Sequence, residues 1–122
     1  MNRILFKRLD HILITIPEGM RESAEIFYKN ILGLEAIPGE HPKGALWFVM
    51  GNIQLHVRPE AAGKISDRHA AFEVEDLEAA KSFLKRKSIA IYYSSEIDGR
   101  QRCFFRDPFD NRFELLQYAA VS

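Results

Sequence analysis

The chain has 122 residues, enough for one core or for two small modules that share one, and too few for two independent domains of ordinary size. Lys+Arg and Asp+Glu number 17 each, no basic block marks a nucleic-acid footprint, and no apolar run approaches a membrane span. Nucleic acid and membrane are therefore not expected as partners, and with no apolar segment long enough for a signal peptide after the first basic residues, a cytoplasmic location is the expectation.

In chain order, residues 9–16, LDHILITI, alternate and are β-branched-rich, which predicts a strand ended by Pro17 to Gly19. In MRESAEIFYKNILGL, Met20, Ala24, Phe27 and Ile31 recur at helical spacing and predict an amphipathic helix stopped at Gly33. LEAIP reads as a short strand and Gly39 to Gly44 as a loop, while ALWFVM and IQLHV read as two strands joined by a Gly51-Asn52 turn. Residues 59–67, PEAAGKISD, read as a linker. RHAAFEV is the next strand, and Asp76 is the expected N-cap of LEAAKSFLKRK, whose Leu77, Ala80 and Leu84 line one face. IAIYY, QRCFFR and RFELLQY predict three more strands, the last two joined by the turn DPFDN. The lone cysteine, Cys103, has no partner for an internal disulfide and reads as a buried, inert thiol.

Both halves thus read β-α-β-β-β, as modules of about 8–58 and 67–118 within one domain over 1–122. A separation of 58 residues relates His11 to His69 at the start of each module, and His56 to Glu114 in the last strand of each. The helices match less well, since Phe27 and Phe83 are 56 apart. Period-two alternation in IQLHV puts Gln54 and His56 on one face, opposite Ile53, Leu55 and Val57. His11, His56, His69 and Glu114 are therefore expected on the concave side of a sheet, with Gln54 beside His56. Imidazoles with one carboxylate suit a divalent transition metal, so the four are candidate metal ligands. The competing reading makes each histidine a packing residue and pairs Glu114 with Arg112, two residues away on the same face. His41, in the loop, reads as solvated, and Trp47, Phe48, Phe104 and Phe105 as core or pocket wall.

LDHILITIPEGMRESAEIFYKNILGLEAIPG, LWFVMGNIQLHV, RHAAFEVEDLEAAKSFLKRKSIAI and RCFFRDPFDNRFELLQ together resemble the vicinal oxygen chelate superfamily, also called the glyoxalase, bleomycin-resistance and dioxygenase superfamily. The resemblance covers nearly the whole chain. It implies an α+β fold of paired βαβββ modules, a cup-shaped mixed sheet around one divalent metal, with His11, His69 and Glu114 as ligands and His56 at the fourth position. Asp110 departs from the pattern, standing where the family's turn usually carries Gly.

The expected function is Lewis-acid chemistry on two adjacent oxygens of a small substrate, in the style of a glyoxalase-like lyase, isomerase or thiol transferase. The metal would be Mn, Fe, Ni, Zn or Co. Glu114 or His56 is the candidate base, and Gln54, Trp47, Arg112 and Tyr92 are candidate substrate-binding residues, with Tyr93 a further anion-holding group. The alternatives are a metal-free protein that binds a small molecule or antibiotic, as bleomycin-resistance proteins do, and a dioxygenase. A homodimer is expected, because paired half-cups bury more apolar surface and short members of the family commonly dimerise.

Overall fold

Side-chain alternation decides the sheets in the computed structural model, which describes residues 3, 5–61, 63 and 65–120. Contacts divide the chain into two compact units that meet at residues 62 and 63. In the first, β1 (His11–Ile16), β2 (Leu46–Met50) and β3 (Ile53–Pro59) form a mixed sheet of order β1-β3-β2, with β1 parallel and β2 antiparallel to β3. Ile53, Leu55 and Val57 are buried together with Phe48, which pairs with Leu55. On the same face Tyr28 of the helix meets Phe48, ring centroids 5.8 Å apart. That helix, α1, runs from Arg21 to Glu25 and continues as a π-helical stretch over Ile26–Ile31. It buries Ala24, Phe27 and Tyr28, and the next turn ends at Gly33 with φ 77°. A 3-10 turn, Pro42–Gly44, precedes β2.

The second unit repeats the plan. β4 (His69–Glu73), β5 (Arg100–Arg106) and β6 (Arg112–Tyr118) form a sheet of order β4-β6-β5, again with the first strand parallel to the last. Helix α2, Leu77–Arg86, is capped by Asp76, whose Oδ1 accepts from the Ala79 N–H at 3.0 Å. Gln117 Oε1 accepts from the Leu77 N–H at 2.8 Å, which ties the helix start to the apolar face of β6. The 58-residue separation holds in the register itself: Leu13 pairs with His56, and Ala71 with Glu114.

Three expectations are corrected. The predicted strands LEAIP and IAIYY are each reduced to one bridge, Ala36 to Phe48 and Tyr92 to Phe104. Ile37 N donates to Trp47 O at 2.8 Å, but Pro38 then offers no N–H and Gly39 turns the chain away at φ 111°. On the other side, Tyr92 and Phe104 exchange both N–H···O bonds at 2.8 Å, and this bridge is the part of IAIYY that pairs with β5. Pro59 closes β3 and does not open the linker; of the linker over 59–67, residues 62 and 64 lie outside the described residues. The turn with Asp110 in place of Gly keeps the left-handed conformation, φ 70°, which Asp tolerates better than most residues. Buried Asp107 fixes that turn by accepting from the N–H groups of Phe109 and Asn111 and from Asn111 Nδ2, at 2.9, 2.8 and 2.8 Å.

Candidate functional site

The second face of β3 carries Gln54, His56 and Arg58, and the pairing of the strands sets their neighbours. His11 of β1 lies beside Gln54, and Trp47 of β2 lies opposite His56. The result is a column of four stacked rings. His11 and His56, His56 and Trp47, and Trp47 and His41 each have centroids 4.1 Å apart, with planes inclined by 16°, 5° and 11°. His41, expected to be solvated, closes this column and donates from Nε2 to Ile37 O at 2.9 Å. His56 donates from Nε2 to Gln54 Oε1 at 2.9 Å. Burial, and next the charge of His11, push His56 below the ordinary histidine range. His11 donates from Nδ1 to Asp10 Oδ2 at 2.9 Å, and this bond is the first cause that holds the Asp10 carboxyl below its usual range.

The stacking bears on the expected ligand set. An imidazole binds a metal through a lone pair in the plane of the ring, and two rings lying face to face aim those lone pairs side by side, not at one point. His11 and His56 are therefore not directed at a common ion in this arrangement. The bond to Asp10 nevertheless leaves the Nε2 lone pair of His11 open, as happens when an outer acceptor fixes the tautomer of a ligating histidine.

In the second unit, His69 begins β4, and Glu114, a residue 4% exposed, lies on β6. His69 Nε2 stands 2.9 Å from Glu114 Oε1. His69 Nδ1 is 3.0 Å from the Asp67 carbonyl and 3.3 Å from Arg112 Nη1. Arg112 Nη1 donates to that same carbonyl at 3.1 Å, and because a carbonyl oxygen only accepts, Nδ1 is a donor to Asp67 O as well. His69 Nε2 and Glu114 Oε1 thus stand at hydrogen-bond distance, an imidazole nitrogen against a buried carboxylate oxygen.

The pairing of Arg112 with Glu114, the competing reading, does not form among the described residues. Arg112 instead lies over Phe104, its guanidinium carbon 4.1 Å from the ring centroid. Glu114 is met by Arg102 Nη1 at 3.3 Å, and Arg102 Nη2 is held by Ser95 O and Oγ at 2.6 and 3.3 Å. Arg102 was not among the candidates, yet it was within reach of sequence. Once the DPFDN turn sets Phe104 opposite Glu114, Arg102 stands one diagonal step away on the same face. Tyr92 shares that face through its bridge to Phe104 and is exposed, whereas Tyr93 instead lies under Lys81, whose Nζ is 5.1 Å from its ring centroid. Among the described residues, no group of three or more His, Cys, Asp or Glu side chains is arranged to hold a metal ion; the two units supply the pairs given above.

No protein-family model matches the sequence, and no curated protein matches it. Solved structures do. A glyoxalase family protein from Bacillus anthracis is 29% identical over 96% of this chain and 99% of that one, with a TM-score of 0.85. A lactoylglutathione lyase from Agrobacterium tumefaciens is 19% identical over 93% and 95%, with a TM-score of 0.74. An antibiotic binding protein from a Streptomyces species is 16% identical over 96% and 100%, with a TM-score of 0.70. The two mixed sheets, each with its helix and parallel first and last strands, define the glyoxalase and bleomycin-resistance class of α+β fold. By that fold the chain is similar to members of the vicinal oxygen chelate superfamily.

Proposed function

We propose that the protein is a metal-dependent enzyme of the glyoxalase type, acting on a small molecule with two adjacent oxygens, and that His11, His69 and Glu114 are its metal ligands. One observation carries this reading: His69 Nε2 stands 2.9 Å from Glu114 Oε1, so an imidazole nitrogen and a buried carboxylate oxygen already converge on one point. The donor chemistry fits, with two imidazoles whose Nδ1 atoms are tied back to acceptors and one buried carboxylate. When bound, the ion would polarise two neighbouring substrate oxygens.

The chain's own groups would do the rest. Glu114, buried and already bonded to Arg102, is the candidate for holding a proton taken from substrate. His56, with Gln54 on its Nε2, serves as a positioning ring or as a second base. Trp47 walls the site of the first unit, while Arg112 and Tyr92 on the second are the candidates for holding an anionic part of the substrate. A homodimer in the cytoplasm completes the reading; β1 and β4 are sheet edges that suit further pairing.

The test is metal titration by calorimetry of chelator-stripped protein with manganese, iron, nickel, cobalt and zinc. About one ion per chain is expected, with proton release, because ligands of this kind bind metal only when deprotonated. His11→Ala, His69→Ala and Glu114→Ala should each nearly abolish uptake, and His56→Ala should retain most of it. Folded protein that takes up none of the five metals would remove the enzyme reading. It would favour the second one, a metal-free binding protein, which the guanidinium of Arg102 on Glu114 supports because it already supplies a cation there.

A further inference from the structure

The first unit contains a cavity of 210 Å³ bordered by Trp47, His56 and His11 on one side, with Leu13, Lys43 and Arg58 also lining it. Its volume is below the ~300–1,000 Å³ of pockets that take drug-sized ligands, so it suits a molecule of about one ring. His56 is covered by His11 on one face and Trp47 on the other, and Trp47 is covered by His56 and His41. With both faces occupied, these two rings have only their edges left for a ligand. Aromatic edges carry the positive part of the ring quadrupole and attract either an anion or the face of another ring.

The charged groups point the same way. Lys43 and Arg58 line the cavity, no carboxylate does, and neither cation has an ion pair among the described residues. Arg58 is placed by the alternation that places His56, two residues before it on β3. Lys43 is placed by the 3-10 turn, where it adopts φ 56°, and the turn is tied down by Arg21 Nε donating to Gly44 O at 3.0 Å.

We propose that this cavity binds a small aromatic carboxylate, its ring set against the edges of His56 and Trp47 and its carboxylate against Arg58 and Lys43. The proposal rests on the small-molecule part of the reading above and is independent of its metal. Trp47 is the single tryptophan of the chain, so its emission reports on this cavity alone.

The experiment is a titration of chelator-stripped protein with benzoate, followed by Trp47 fluorescence and by calorimetry, with neutral benzamide as comparison. Benzoate should give saturable binding, benzamide should bind at least about tenfold more weakly, and Arg58→Gln should weaken benzoate by about tenfold, the loss of one charge-assisted contact. Lys43→Gln, in an exposed turn, is the second variant should Arg58→Gln fail to fold. Absence of saturable benzoate binding, equal affinity for benzamide, or unchanged affinity in the folded variants would overturn the proposal. Because no metal is present, saturable benzoate binding by protein that also refuses metal would sink only the metal reading.

Discussion

His56 is the side chain whose surroundings are most specific. It is 9% exposed, sandwiched between rings and bonded through Nε2, and its affinity for a proton is lowered by burial and by His11. Because the unfolded chain binds that proton more readily, the neutral ring contributes stability that is present above the ordinary histidine pKa and is lost as pH falls below it. Chelator-stripped protein should therefore melt lower at pH 5 than at pH 7. His56→Phe, which keeps a ring in the column and cannot titrate, should show a smaller drop in Tm over that interval. Arg102→Ala should cost about 1–3 kcal/mol in denaturant unfolding, since it removes the guanidinium from a buried carboxylate. Cys103 is fully buried, and burial raises its thiol pKa, as the reading of an inert thiol requires. It should resist iodoacetamide in the folded protein and react on unfolding, and rapid alkylation of folded protein would contradict that placement.

Among the elements, α2 was legible to its cap because its start signal is local: Asp76 bonds to the amide three residues on. Asp76→Ala should lower stability by about 1 kcal/mol, read from the urea midpoint at unchanged slope. Asp107→Ala should cost more, about 2 kcal/mol, because three donors lose their acceptor in a buried turn. The candidate site was legible where it depended on period-two alternation and on the repeat. His11 and His69 both begin a strand parallel to the last strand of their unit, as the 58-residue separation implied. What escaped the sequence depended on where strand pairing ends and on which side chains it brings together. LEAIP shrank to a bridge where Pro38 lacks a donor, and IAIYY pairs with β5 through Tyr92. His41 was drawn onto Trp47 because β2 brings that ring within stacking distance, a contact no local pattern encodes.

For the whole molecule, the proposed dimer makes a direct prediction. β1 and β4 each have one strand neighbour among the described residues, and Leu9, Leu13 and Ile65 near them are exposed. Sedimentation equilibrium at micromolar concentration should give twice the chain mass, and a metal-loaded species of single mass would refute the assembly. In both units the strand at the centre of the sheet is the last one in sequence, β3 between β1 and β2, and β6 between β4 and β5. During synthesis the two flanking strands of each unit consequently emerge before the strand that must join them, and they present unpaired edges until it arrives. A pause in translation after both flanking strands have left the ribosome and before the central one does would lengthen that interval, so the timing of synthesis becomes a lever on how much of the chain escapes aggregation in the cell.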